Sequence, residues 1–206
     1  MRVIFNLTIR FAISITVLAV VTVSSNVAYT QIRESILFQK ERIIVSVMTD
    51  RVLIRGEYTF VNLSSVSRSI RLFYPFPVDS LHSFPVNISV TSGDKRIPFK
   101  TAEKGIYFTI KLLAESTANM NVSYEQPCLV SNACYILKST AYWQTPLEEA
   151  DFEIRIPPGI ELKNMSYAAD KVVKNQDTLV CTFTRKNFMP VKDLCFEWDK
   201  KKRDTK

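Results

Sequence analysis

Apolar side chains recur at every second position through most of the chain beyond residue 30, which places successive side chains on opposite faces of an extended strand. Val52, Ile54, Gly56, Tyr58 and Phe60 alternate with Leu53, Arg55, Glu57, Thr59 and Val61. Ile70, Leu72, Tyr74 and Phe76 repeat the pattern, and Val86, Ile88 and Val90 stand against Asn87 and Ser89. The same rhythm runs through residues 106–112, 120–124, 135–137, 152–156, 179–183 and 194–198, and with the run at 43–47 it predicts roughly ten strands. Turn residues separate the runs: Thr49-Asp50, Leu63-Ser64-Ser65, Ser92-Gly93-Asp94, Glu103-Lys104-Gly105, Pro157-Pro158-Gly159 and Lys174-Asn175-Gln176-Asp177. Strands joined this closely, without helical patterns between them, predict an all-β, antiparallel sandwich, immunoglobulin-like in general architecture.

Two segments break the rhythm. Thr145-Pro146-Leu147-Glu148-Glu149 has the chemistry of a helix start and predicts one helical turn over 146–150. Tyr74-Pro75-Phe76-Pro77 carries two prolines that cannot donate to a ladder, so it belongs at a sheet edge or beyond it, with its aromatic rings closing one end of the core.

Residues 1–30 read as a leader. They hold no acidic side chain, carry Arg2 and Arg10, and run uncharged from Phe11 to Tyr29, the layout of a secretory signal peptide. Small-residue pairs place a cut after Ser25 or after Thr30. The alternative is an uncleaved anchor, which needs about 20 apolar residues and reaches that length only by including Ser24, Ser25 and Asn26. Residues 31–199 then form one sandwich domain, secreted, periplasmic or at the cell surface.

The formal charge of +7 does not mark a nucleic-acid binder. Part of it lies in the leader and most of the rest in Lys200, Lys201, Lys202, Arg203 and Lys206, leaving the body close to neutral. A phosphate-tracking face would spread its charge over the fold. Residues 200–206 read as a disordered basic tail, with a weak hold on an anionic membrane as the alternative.

Cys128, Cys134, Cys181 and Cys195 all follow the leader, an even number suited to two disulfides in an oxidising compartment. Short loops favour Cys128 with Cys134 and Cys181 with Cys195. Against the second pair, Cys181 is in phase with Leu179 and Phe183 and Cys195 with Asp193 and Glu197, so the two thiols face different ways. The spacings match neither a redox motif nor a zinc site.

Candidate chemistry is sparse. His82 is the one histidine, it follows no nucleophile-elbow pattern, and it reads as an exposed loop residue. Glu148, Glu149 and Asp151 beside Trp143 form the tightest acidic cluster; a glycosidase would need one of them to face a distant carboxylate such as Glu57 across a cleft. The glycines Gly56, Gly93, Gly105 and Gly159 are isolated, so no phosphate-cradling loop and no nucleotide cofactor is expected. Asn62, Asn87, Asn121 and Asn164 each open an N-x-Ser sequon, a possible glycosylation set that a solvent-facing strand also writes without any glycan.

From Gly56 to Tyr124 the order GEYTFVNLSS, RSIRLFYPFPVD, GDKRIPF, GIYFTIKL and VSYEQP resembles the sandwich of vault/inter-alpha-trypsin-type domains and similar exported prokaryotic domains of unknown function. The shared features are a strand ending in Phe-x-Asn followed by a proline-rich corner. The resemblance implies a sandwich; the metal-binding adhesion domain that commonly follows in that family has no counterpart here. Together these readings predict an exported, non-catalytic module without cofactor or metal that binds an envelope or extracellular protein. The alternatives are a carbohydrate-active hydrolase or glycan-binding domain, and a membrane-tethered structural subunit.

Overall fold

A computed structural model describes residues 35–200, so the expected leader and nearly all of the basic tail lie outside the described residues. In chain order the strands are β1 (Ile36–Val47), β2 (Arg51–Asn62), β3 (Arg68–Pro75), β4 (Val86–Ser92), β5 (Lys95–Arg96), β6 (Phe99–Ala102) and β7 (Gly105–Leu112). They continue as β8 (Ser116–Pro127), β9 (Asn132–Tyr135), β10 (Leu147–Ile156), β11 (Ile160–Met165), β12 (Lys171–Asn175), β13 (Thr178–Phe188) and β14 (Leu194–Lys200). A 3-10 turn, Lys138–Trp143, separates β9 from β10.

Eight strands form one sheet in the order β12-β13-β10-β1-β2-β8-β4-β5, and two three-stranded sheets, β11-β14-β9 and β3-β7-β6, complete the fold. Alternation dictates which faces meet. Val52, Ile54, Tyr58 and Phe60 of β2 are buried, as are Ile106, Phe108, Ile110 and Leu112 of β7 and Leu194, Phe196 and Trp198 of β14. The architecture is the expected β-sandwich-like one.

Several expectations change. The large sheet is not purely antiparallel, because β1 runs parallel to β10, with Lys40 opposite Glu149 and Ile43 opposite Phe152. The four strands that the alternation misses are β5, β6, β11 and β12: β5 has two residues and every residue of β12 is exposed, so neither carries a buried face to read. The helical turn lies at Lys138–Trp143 rather than 146–150; Leu147 instead opens β10, where ladder pairing with β13 outweighs the local helix-start signal.

One disulfide is formed among the described residues, Cys134 to Cys195, while Cys128 and Cys181 are free. Neither short-loop pairing occurs. Cys134 and Cys195 are opposite one another on β9 and β14 with Cα atoms 4.0 Å apart, and Cys181 is buried on β13 opposite Ile154. Register across a ladder, not proximity in sequence, selects the pair.

The proline corner behaves as expected. Phe76 is buried with its ring against Tyr124 (4.8 Å), Phe84 (5.4 Å) and Tyr74 (5.5 Å), and the Gln126 side-chain amide fastens the loop by donating to the carbonyls of Pro77 and Ser83.

Candidate functional site

The three sheets meet at three tyrosine hydroxyls. Tyr58 on β2, Tyr74 on β3 and Tyr135 on β9 each occupy an inward position of a different sheet, and the Tyr58 hydroxyl lies 2.7 Å from that of Tyr74 and 2.9 Å from that of Tyr135. Two hydrogen bonds use two of the three hydroxyl protons. Burial pushes all three hydroxyls well above the usual tyrosine range, so they stay protonated.

Glu41 adds a carboxyl to this group. On β1 the buried face shifts phase between Phe38 and Glu41, with Gln39 and Lys40 both outside it, so Glu41 falls in line with Ile43, Val45 and Val47. It is 4% exposed and its Oε1 has no hydrogen-bond partner. Burial raises its pKa to about 8, so the carboxyl is mostly neutral at pH 7.

These groups border a partly open cavity of about 80 Å³. Phe38, Phe60 and Trp143 form an aromatic cluster in its lining, with ring centroids 5.0–5.9 Å apart, and Ser139 and the buried Thr140 of the 3-10 turn also line it. The turn is held from outside itself: the Asp193 carboxylate accepts from the backbone N–H groups of Leu137 (2.9 Å) and Lys138 (3.0 Å), and Gln144 ends it in the left-handed region at φ 58°.

Gly56 makes room for the central tyrosine. It shares a face of β2 with Tyr58, whose ring and hydroxyl lie where a β-carbon at position 56 would be. Gly56→Ala is therefore expected to displace the Tyr58 ring and destabilise the protein by about 1–3 kcal/mol. Urea denaturation with near-ultraviolet circular dichroism checks this, and adding Tyr58→Val, which removes the obstructing ring, should relieve part of the loss.

The residues singled out in the sequence lie elsewhere. His82 is buried, not exposed: its Nδ1 is 2.8 Å from Asp79 Oδ1, its Nε2 is 2.8 Å from the Asn132 side chain, and its backbone forms a bridge with Cys128. It ties the proline corner to β9. Asp79 Oδ1 also accepts from the backbone N–H groups of Leu81 and His82, which holds its carboxyl below the usual range. The Cys128 thiol is pushed up to about 11 by burial, far from a reactive thiolate.

The acidic cluster is spread along β10 rather than gathered. Glu148 accepts from the Gln39 amide (2.9 Å), Glu149 faces Lys186 across the ladder, and Asp151 accepts from the Thr184 hydroxyl (2.6 Å). Glu57 lies 3.9 Å from Arg42, which is also 3.9 Å from Glu153. None of the three clustered carboxylates lines the cavity.

Of the sequons, Asn87, Asn121 and Asn164 are exposed. Asn62 is fully buried, and its Nδ2 donates to the carbonyls of Val66 and Leu113 while its Oδ1 accepts from Ser64. The folded chain has no room for a glycan there. Asn62 instead ties the end of β2 to the turns that follow β2 and β7.

Sequence reasoning missed Glu41, Tyr58, Tyr74 and Tyr135 as a site. The readable signal was a carboxylate in phase with Ile43, Val45 and Val47, on the face a strand normally keeps apolar.

No protein-family model matches the sequence, and no curated protein matches it. Among solved structures the fold is similar to that of a Legionella pneumophila protein described as a "putative nutrient binding protein", with a TM-score of 0.67 and 16% identity over 80% of this chain and 67% of that one. That likeness establishes a shared fold. An M1 zinc metallopeptidase from Deinococcus radiodurans aligns with a TM-score of 0.48 and 12% identity, over 79% of this chain and 42% of its own. The chain thus spans about two-thirds of the first structure and under half of the second.

Proposed function

We propose that this chain is an exported, non-catalytic binding module of the cell envelope or extracellular space, and that the cavity where the three sheets meet receives a small polar ligand. The observation that carries the reading is Glu41 Oε1, a buried carboxyl oxygen without a partner, in a cavity whose other lining is hydroxyls, aromatic rings and the aliphatic side chains of Leu72, Pro75, Met120 and Ile136. Leaving such a group unmatched costs roughly 1–3 kcal/mol, a cost a ligand offsets. The cross-strand disulfide supports export, and no helix among the described residues is long and apolar enough to cross a membrane. The neutral Glu41, the protonated tyrosines and the raised Cys128 thiol speak against nucleophilic catalysis, because none is held in a nucleophilic form at neutral pH. The "nutrient binding" description of the Legionella protein agrees with this reading.

The test is chemical-shift mapping of the full chain against a panel of small amines, alcohols, amides and carboxylates. At least one class should perturb the signals of Tyr58, Tyr74, Tyr135 and Trp143 together, and Ser139→Phe in the lining should weaken that binding several-fold. A panel without any such response removes the reading.

One observation favours a second reading, a protein partner added along a strand edge. β12 ends the large sheet, all five of its residues are exposed, and Val172 and Val173 are 56% and 41% exposed. An envelope or extracellular protein recovered from the native host under oxidising conditions, and lost on Val172→Lys with Val173→Lys, would support it. Recovery unaffected by these changes would place the contact elsewhere.

A further inference from the structure

We infer that the junction cavity binds a compact ammonium group, a primary amine or small alkylammonium, with Glu41 as its counter-charge. This rests on the reading of the cavity as the binding site and adds the chemical class of what enters it.

Charge decides between classes of ligand. Among the described lining residues, Glu41 is the one carboxyl and there is no lysine, arginine or histidine. An anion would find no compensating cation and would oppose any charge on Glu41. A neutral donor could satisfy the unpartnered oxygen, but it would bring no counter-charge when the carboxyl ionises. A cation turns the unpartnered oxygen into half of an ion pair, out of water, where such a contact is strong.

Hydrogen bonding agrees. An ammonium group has donors and no acceptor, so it needs oxygen lone pairs around it. Glu41 supplies them, as do the hydroxyls of Tyr58, Tyr74 and Tyr135, which remain acceptors after their mutual bonds at 2.7 and 2.9 Å. The aromatic part of the lining is suited to a short alkyl stem. Phe38, Phe60 and Trp143 offer apolar surface, and aromatic faces also attract cations.

Size sets the limit. The cavity of about 80 Å³ is well below the roughly 300 Å³ at which pockets hold drug-sized molecules. The ligand is therefore a small amine, or the amine end of a longer molecule whose remainder lies outside.

The inference has a pH signature. The titratable groups that feel Glu41 are Tyr58, Tyr74 and Tyr135 of β2, β3 and β9 and Tyr167, which follows β11; burial holds all four above the usual tyrosine range, so the carboxyl alone changes charge through the neutral range. Binding a cation below pH 8 requires Glu41 to release its proton. Affinity should rise about tenfold per pH unit from 6 towards 8 and level off above it.

The experiment is a titration of the full chain, followed by NMR, with ethylammonium chloride, with ethanol as its neutral counterpart and with acetate as an anion, from pH 6 to 9. Ethylammonium should bind saturably with the stated pH dependence, ethanol and acetate at least tenfold more weakly, and Glu41→Gln should reduce ethylammonium affinity at least tenfold. Should Glu41→Gln disturb the fold, the carboxyl carbon signal of Glu41 in the unaltered protein gives the same answer, since ethylammonium should lower its titration midpoint by about one unit or more. Ethanol binding as well as ethylammonium, with an unmoved Glu41 midpoint, would overturn the charge assignment while leaving the cavity a binding site. Absence of binding by all three probes, and by the wider panel, would overturn both.

Discussion

As the pH rises from 4.5 to about 8, the protein should lose on the order of 3–5 kcal/mol of unfolding free energy, and Glu41→Gln should abolish most of that loss. Below 4.5 the carboxyl is protonated in folded and unfolded chains alike, and the contribution is fully present. Through the window the unfolded chain gives up its proton while the folded chain keeps it, because ionising Glu41 in place means charging a group surrounded by protonated phenols and aromatic rings. Fewer protons on the unfolded chain mean falling stability as pH rises. Asp79, Glu125 and Asp170 act in the opposite sense, since hydrogen bonds and neighbouring cations lower their pKa values. Their contributions disappear on the acid side, below the ordinary values of 3.8–4.5, so the two effects occupy separate windows. Urea denaturation at intervals from pH 5 to 8.5 measures the slope. A flat profile in the unaltered protein would show that Glu41 ionises freely in the folded state.

Opening the Cys134–Cys195 disulfide, by reductant or by replacing both cysteines with serine, should cost about 4 kcal/mol, the loop-closure value for a separation of 61 residues. In a chain of this size that lowers Tm by roughly 10 °C. The bridge restrains β9 against β14, and with them Tyr135 and the backbone that leads into the 3-10 turn, so the tyrosine cluster should loosen as well. Replacing the free Cys128 with serine should leave stability within about 1 kcal/mol. Thermal unfolding with and without reductant checks both statements; identical curves would mean that the covalent link does not limit the unfolded chain.

Much of the fold was legible because a strand buried on one face repeats every two residues, and in ten places that repeat was clean. The same rhythm carries no direction, which is why the parallel pairing of β1 with β10 could not be read from it. Phase also carried more information than loop length for the cysteines. It placed Cys195 with Asp193 and Glu197, away from Cys181, and its actual partner Cys134 lies across the ladder from it. The tyrosine cluster was out of reach for a different reason: Tyr58, Tyr74 and Tyr135 look like ordinary apolar members of three strands, and only the meeting of three sheets brings their hydroxyls together. His82 was misjudged, and the burial of Asn62 went unread, because residue type and local turns say little about which polar groups a fold takes inside.

The parallel pairing also sets an order of assembly. β2 can fold back on β1 as soon as the Met48–Asp50 turn is made, closing one edge of the strand. The other edge, through Ile43 and Val45, has its partner in Phe152 and Ile154, which are synthesised more than about 100 residues later. Until then a hydrophobic strand at the centre of the future sheet presents open backbone to whatever it meets, and contacts of such long sequence separation form slowly. A chain built this way benefits from being kept unfolded until it is complete, and shortened versions ending before β10 should be prone to clump.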